Sequence, residues 1–315
     1  MVSIEKYFAF GISVGLLYPE AHTSALRQLS AFTKTAQLGG FETLETTLSD
    51  DASVRKAEIA IAREEGKIIN YNFPVDFQLD GPFDPGNSDA AVRANALDLA
   101  FRHLEYAAEA GSKVIGMTSG IDHGQALRPA VLEYFTEYMV ALATEAKKVG
   151  INLAVEPVER GRFKNLLLGP TEEVCSFVTM MHSLGHANVS VLFDTAHMPL
   201  MQEDPITSVR LAHQAGIGHI HIGNAIVGNP ANPLYGHTHA PIGIAEGEYD
   251  YLEVSAFFAE LVRLGYLDIN PVAQLQRKCV SLEMARYPGL SATLSAQVAY
   301  EKVQQAWNRV VEGYA

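Results

Sequence analysis

The chain has 315 residues, of which 48% are hydrophobic, and its formal net charge at pH 7 is −13. This apolar content can fill a large core, and the length is compatible with one α/β barrel domain. The excess of acidic residues argues against a nucleic-acid partner, because phosphate binding depends on clusters of lysine and arginine. The two cysteines, Cys175 and Cys279, lie far apart in sequence and predict neither a disulfide framework nor a thiolate metal site. We therefore expect a reducing, cytoplasmic location.

An apolar run near the start, from Phe8 to Tyr18, has the composition of a signal-peptide core. Gly11, Ser13 and Gly15 interrupt it, and no small-residue cleavage site follows. We interpret this run as a first β-strand. No apolar stretch reaches the length of a transmembrane helix, so no membrane partner is expected.

Short apolar runs then alternate with longer amphipathic segments, which is typical of repeated βα units around a parallel sheet. The predicted strands are Phe8–Val14, Phe41–Thr46, Lys67–Tyr71, Val114–Met117, Asn152–Val155, Val189–Phe193, His219–Gly223 and Val280–Met284. The predicted helices are Thr23–Gln37, Asp51–Glu65, Asp89–Ala110, Arg128–Val149, Glu172–Ser183, Ile206–Ala215, Leu252–Leu264 and Leu294–Val311. Eight strands are the number that closes a (β/α)8, or TIM, barrel, and we predict one such domain over residues 1–315.

Local sequence supports several of these helix boundaries. Asp89 is a suitable N-cap for the third helix, and Gly111 tolerates the left-handed conformation that often follows a helix. Pro170 and Thr171 are predicted to open the fifth helix, with two glutamates favourably placed in its first turn.

The longest irregular segment covers residues 224–251, after the seventh strand, and contains His237 and His239. Loops of this length in a compact barrel are usually functional. We therefore predict that this segment is an insertion over the C-terminal ends of the strands, where it serves as a lid or a partner surface.

Four ionisable residues end the last four predicted strands. They are Glu156 in NLAVEP, Asp194 in VLFDTAH, His221 in HIHIG and Glu283 in SLEMA. A single acid at such a position is often only a helix cap, and a single histidine often only a core residue. Four in succession favour one site, because the C-terminal ends of barrel strands converge. Three carboxylates and one imidazole suit Mn²⁺, with Mg²⁺ and Co²⁺ as alternatives.

These four segments also carry recognisable motifs, namely VEP at 155–157, FDTAHM at 193–198, HIHIGN at 219–224 and LEM at 282–284. The chain thereby resembles the xylose-isomerase-like TIM-barrel superfamily, the sugar isomerase/epimerase group, over nearly its whole length. The resemblance implies that the four residues above bind one divalent metal ion, with His221 rather than His219 as the histidine ligand. It also implies that His197 contacts substrate oxygens.

The resemblance further implies removal of a proton next to the carbonyl of a keto-sugar, giving an enediolate stabilised by the metal. The predicted catalytic residues are Glu156, Glu283 and His197. The predicted substrate-binding residues are His197, Arg160, Arg162 and His239.

The sequence departs from the ketose 3-epimerases of this group at two positions. Arg162 stands where those enzymes have a second acidic base, and Val227 stands where they have a substrate-binding arginine. Epimerisation needs an acid/base group on each face of the carbon, and Glu283 can serve only one face. The basic segment VERGRFK, with Arg160, Arg162 and Lys164, is either a solvated loop or a substrate contact.

These departures favour β-elimination from a 3-keto-glycoside, as in the catalytic subunits of C-glycoside deglycosidases. Those proteins pair with a small β-sandwich subunit, so an oligomer containing such a non-homologous subunit is one expectation. Isomerisation or epimerisation of free ketoses is the main alternative. A DNA-repair nuclease similar to endonuclease IV is disfavoured by the acidic charge, and a non-catalytic sugar-binding barrel by the intact ligand set.

Overall fold

The computed structural model describes residues 3–74 and 81–314. Its eight strands are hydrogen-bonded in sequence order around a closed barrel, with the last strand next to the first. The strand pairs with a described register are all parallel. The predicted (β/α)8 barrel is confirmed.

All eight predicted strands are present, with ends within two residues of the predicted ones. They are β1 (Ala9–Ser13), β2 (Thr43–Thr46), β3 (Ile68–Asn72), β4 (Val114–Met117), β5 (Asn152–Val155), β6 (Val189–Asp194), β7 (Ile217–Ile222) and β8 (Cys279–Leu282). The long apolar run that begins at Phe8 supplies β1 and then a short helix, so only its first half is a strand.

The predicted helices are also present, and two short helices, α1 and α7, were not predicted because four or five residues carry no periodic pattern. The helices are α1 (Val14–Leu17), α2 (Ala25–Ala36), α3 (Ala52–Glu64), α4 (Ala90–Ala110), α5 (Arg128–Lys148), α6 (Thr171–Ser183), α7 (His197–Met201), α8 (Pro205–Ala215), α9 (Tyr251–Arg263) and α10 (Ala292–Tyr314). Among the described residues, no helix is both long and apolar enough to span a membrane.

The local signals at the helix ends act as predicted. The Asp89 carboxylate accepts a hydrogen bond from the backbone N–H of Ala91 at 2.8 Å and so caps α4. Gly111 ends α4 with a φ of 76°, a conformation that costs glycine little. Pro170 precedes α6, which begins at Thr171.

The chain forms two compact units. The first contains the described parts of residues 1–69, 194–210 and 220–315, and its core includes Trp307, whose ring lies 5.2 Å from that of Phe8 and 5.6 Å from that of Phe258. The second contains the described parts of residues 70–193 and 211–219, with the Phe135 and Phe177 rings 5.2 Å apart. The assignment of residues 1–315 to one domain stays a prediction.

Residues 224–250, in the first unit, contain no helix or strand and are held by the buried side chain of Asn224. Its amide nitrogen donates to the carbonyl oxygens of Pro241 at 3.0 Å and Tyr249 at 3.1 Å. Its amide oxygen accepts from the N–H groups of Ala225 and Tyr249, both at 2.9 Å. One side chain thus joins the two ends of the predicted insertion.

We predict that Asn224→Ala destabilises the protein by roughly 2 to 4 kcal/mol, because it leaves several buried backbone groups without partners. Urea denaturation would measure the free energy of unfolding. Asn229→Ala is a matched control, because the Asn229 amide binds Glu246 at the exposed surface of the same segment. Equal effects of the two substitutions would contradict the role assigned to Asn224.

Candidate metal centre

Asp194 is the last residue of β6, and its side chain is fully buried. One carboxylate oxygen, Oδ1, accepts a hydrogen bond from the N–H of Ala196 at 2.8 Å, which fixes the orientation of the carboxylate. The other oxygen, Oδ2, lies 3.5 Å from Nδ1 of His239 and 3.7 Å from Nε2 of His197. Asp194 therefore presents one oxygen to a group of imidazoles.

His221 lies in β7, buried between two carboxylates that face its two ring nitrogens. Nδ1 contacts Oε2 of Glu283, which follows β8 directly. Nε2 lies 3.8 Å from Oε2 of Glu45 in β2. His221, the second histidine of HIHIG, thus contacts Glu283.

Neighbouring strands of the barrel hold the Glu45 side chain in place. It is buried, and the Ser281 hydroxyl donates a 2.6 Å hydrogen bond to its Oε1. Ser281 and Thr43 lie on either side of Gly11 in β1, and a side chain at Gly11 would collide with both hydroxyls. Nothing in the sequence indicates that Glu45 faces His221, because the two residues are 176 positions apart.

Three of the four predicted ligands, Asp194, His221 and Glu283, lie in the first unit, and one ligand atom from each lies within 4.8 Å of the others. Glu156 directly follows β5 in the second unit, and its place among the ligands stays a prediction. The predicted donor set has three carboxylates and one imidazole. Hard divalent cations such as Mn²⁺ and Mg²⁺ prefer oxygen-rich sets of this kind, so the residues present fit such an ion.

The pKa values of Glu283 and His221 shift in opposite directions because the two side chains face each other. Burial alone would raise the pKa of Glu283, but the His221 and His239 imidazoles hold it below its ordinary value. Burial alone would lower the pKa of His221, but Glu283 and Glu45 raise it well above the ordinary value. The metal-free pair therefore keeps a proton on His221 that must leave before a cation can bind there.

A second group consists of three histidines, His197 at the start of α7 and His237 and His239 in the segment after β7. The His197 and His237 rings are stacked with centroids 4.9 Å apart, and the His239 ring is nearly perpendicular to both, at 5.1 to 5.2 Å. Burial lowers the pKa of His239 to about 3, so this imidazole is neutral at physiological pH. The sequence predicted contacts for His197 and His239 but gave no sign that the three rings meet.

The basic segment has a different environment. The Arg160 guanidinium pairs with Glu173 and also donates to the carbonyl oxygens of Leu166 and Leu167. Arg162 is exposed, with its guanidinium 5.1 Å from the Phe163 ring centre. The contacts of Arg160 favour a structural role for that residue, and the predicted substrate contacts of both arginines stay predictions.

The sequence matches a known protein family over most of its length. The family model of the xylose isomerase-like TIM barrel matches residues 32–278. No curated protein matches the chain.

Several solved structures are similar over most of their length. An L-ribulose 3-epimerase is 17% identical with a TM-score of 0.72, covering 97% of this chain and 96% of that one. A 3-keto-D-glucoside 4-epimerase from E. coli is 16% identical with a TM-score of 0.66, covering 96% and 99%. An AP endonuclease, family 2, from Brucella melitensis is 20% identical with a TM-score of 0.64, covering 91% and 96%.

At these identities the solved structures establish a common fold and no more. The family model, by contrast, spans well over half of the sequence, including the segments that carry Glu156, Asp194 and His221. Together with the closed barrel of eight parallel strands, this match identifies the chain as a member of the xylose isomerase-like TIM barrel family.

Proposed function

We propose that this protein is a divalent-metal-dependent enzyme that removes a proton next to the carbonyl of a keto-sugar. The observation that carries the proposal is the grouping of Asp194, His221 and Glu283 at strand ends, with one ligand atom from each within 4.8 Å of the others. Glu156, directly after β5, is the fourth proposed ligand. Mn²⁺ is the proposed ion, with Mg²⁺ and Co²⁺ as alternatives, because the donors are mainly carboxylate oxygens. A bound cation would polarise adjacent substrate oxygens and acidify the neighbouring C–H.

The side chains around this group have separate proposed tasks. Glu283 or His197 accepts the proton, since Glu283 contacts His221 and His197 lies 3.7 Å from Asp194. Glu45 orients His221 by facing the ring nitrogen that points away from Glu283, an arrangement that often fixes the tautomer of a ligating histidine. His197 and His239 are the proposed contacts for substrate oxygens.

The proposed reaction is β-elimination from a 3-keto-glycoside. The ketone at C3 acidifies the proton on C2, and the residue acting as base takes that proton. The electron pair of the C–H bond then forms the C1–C2 double bond, while the C1 substituent leaves with the electrons of its own bond. Arg162, at the position of the second acidic base in ketose 3-epimerases, supports a reaction that needs proton transfer on one face only.

A second candidate is isomerisation or epimerisation of a sugar through the same proton removal. It is supported by the structural neighbours, which include an L-ribulose 3-epimerase and a 3-keto-D-glucoside 4-epimerase. A nuclease is disfavoured, although an AP endonuclease shares the fold, because a net charge of −13 opposes binding of a polyanion.

We predict that Asp194→Ala removes near-stoichiometric Mn²⁺ binding, because the variant loses a buried charged ligand. Elemental analysis after equilibrium dialysis would measure the bound ion. Asp98→Ala, at an exposed position of α4, is the matched control and should bind Mn²⁺ normally. Undiminished Mn²⁺ in a folded Asp194→Ala protein would remove Asp194 from the ligand set.

The affinity for Mn²⁺ is expected to fall as the pH falls. The pKa of His221 is raised in the metal-free protein, so its proton competes with the cation up to a higher pH than for an ordinary histidine. Affinity should therefore keep increasing from neutral into mildly alkaline pH. Calorimetric titrations in buffers of different ionisation enthalpy would measure both the affinity and the proton released, and a pH-independent affinity without proton release would contradict this coupling.

The reaction type can be tested with substrates in D₂O. Elimination predicts release of the C1 substituent from a 3-keto-glycoside and no conversion of free ketoses. Epimerisation or isomerisation predicts deuterium at a sugar carbon with the substituent retained. Mass spectrometry of the products separates the two, and the Asp194→Ala protein serves as the blank for uncatalysed exchange.

A further inference from the structure

We propose that Glu58, in α3, holds the segment between β2 and α3 closed only while its carboxyl group is protonated. This segment, residues 47–51, is called the β2–α3 segment below. Loss of the proton from Glu58 opens it. Glu58 and the whole segment lie in the first unit of the chain. The proposal adds a pH-dependent conformational change to the proposed function and does not depend on the metal or the reaction.

The Glu58 carboxyl group is buried and has little to stabilise a charge. The residue is 0% exposed, although its side chain is ionisable. Its Oε2 accepts a 3.0 Å hydrogen bond from the backbone N–H of Ser49. Its Oε1 is also buried, and no group in the described part of the chain forms a hydrogen bond with it. An ionised carboxylate here would be a buried charge with a single hydrogen bond, which is costly.

The polar and charged groups around Glu58 come from three elements. Arg55, on the same helix, carries the nearby positive charge, but its Nη1 donates to the carbonyl oxygen of Ser49 at 2.9 Å. From α2, which packs beside α3, the uncharged Gln28 faces Glu58. In the β2–α3 segment, the Asp51 carboxylate accepts hydrogen bonds from N–H groups of the first turn of α3. Arg55 and Asp51 are thus both bound to backbone groups.

Three side chains anchor the β2–α3 segment to the neighbouring helices. The amide nitrogen of Gln28 donates to the carbonyl oxygen of Thr47 at 2.9 Å, and Arg55 and Glu58 bind the carbonyl and the N–H of Ser49. Of these three anchors, Glu58 is the one that can lose a proton near neutral pH. The segment follows directly on β2, so its opening would release the chain beside the strand that carries Glu45.

The direction of the pH effect follows from the burial of Glu58. Burial raises the pKa of Glu58 to about 7, although the Ser49 N–H, the Gln28 amide and the Arg55 guanidinium favour the charged form. In the open state water solvates the carboxylate, and its pKa returns to the ordinary value of 4.5. The closed state therefore binds the proton more tightly, and its advantage falls as the pH rises from 4.5 to about 7. The ratio of open to closed forms should increase about tenfold for each pH unit in this range and stay constant above it.

Amide hydrogen exchange of the full-length protein measures this opening, because the bond to Glu58 protects the Ser49 N–H. We expect the protection factor of Ser49, corrected for the intrinsic exchange rate, to fall about tenfold per pH unit up to about pH 7 and then level off. Glu58→Gln keeps an acceptor for this N–H and does not ionise, so its protection should not change with pH. Glu64→Gln, at an exposed position of the same helix, is the matched control and should keep the pH dependence.

Other groups titrate in every variant, so the difference between the unmodified protein and Glu58→Gln isolates the effect of Glu58. Circular dichroism would check that each variant folds. Glu58→Met gives a second test, because it removes the acceptor and should leave Ser49 weakly protected at every pH. A pH-independent protection of Ser49 in the unmodified protein overturns the proposal, as does an unchanged pH dependence in folded Glu58→Gln. The measurement needs neither added metal nor substrate, so its result is independent of the proposed function.

Discussion

The interaction on which the rest of the site depends is the placement of one imidazole between two buried carboxylates. His221 faces Glu283 through one nitrogen and Glu45 through the other, and all three are held by the barrel strands or their ends. Charges of this kind are costly to bury unless they are paired or bind a cation. On the Glu45 side of His221, the Ser281 hydroxyl binds the Glu45 carboxylate, and the absence of a side chain at Gly11 leaves room for that hydroxyl. A stable barrel would gain more from apolar residues at these positions, which is why the cluster indicates function.

The segment after β7 extends this polar region. It contains no helix or strand, yet it places the His237 ring against His197 and the His239 ring beside Asp194. Irregular backbone can adopt the positive φ of His239, which a regular strand or helix could not accommodate. The loop is thus the part of the first unit that places two further imidazoles beside His197.

Metal chemistry and reaction outcome are separate questions in this family. A cation beside a keto-sugar acidifies a C–H in the same way whether the product forms by elimination or by reprotonation. In the proposed function the groups that would distinguish these outcomes are not metal ligands, and Arg162 and Val227 stand where the resemblance to ketose 3-epimerases predicts an acidic base and a substrate-binding arginine. Relatives with a 3-epimerase or 4-epimerase activity therefore inform the fold more than the product.

The sequence by itself determined the barrel, because short apolar runs and amphipathic segments with helical periodicity alternate eight times along the chain. It also showed which ionisable residues stand at the strand ends. It also determined the caps at Asp89 and Gly111, which depend on neighbours within a few positions. Only the tertiary structure decided that Glu45 faces His221, that Arg160 is bound by Glu173, and that three histidines meet beside Asp194. These contacts join residues far apart in the chain, and an irregular loop has no periodicity from which its path can be predicted. Tertiary packing and individual hydrogen bonds, such as those of Asn224, decide which side chains contact one another. The order of residues along the chain does not show these contacts.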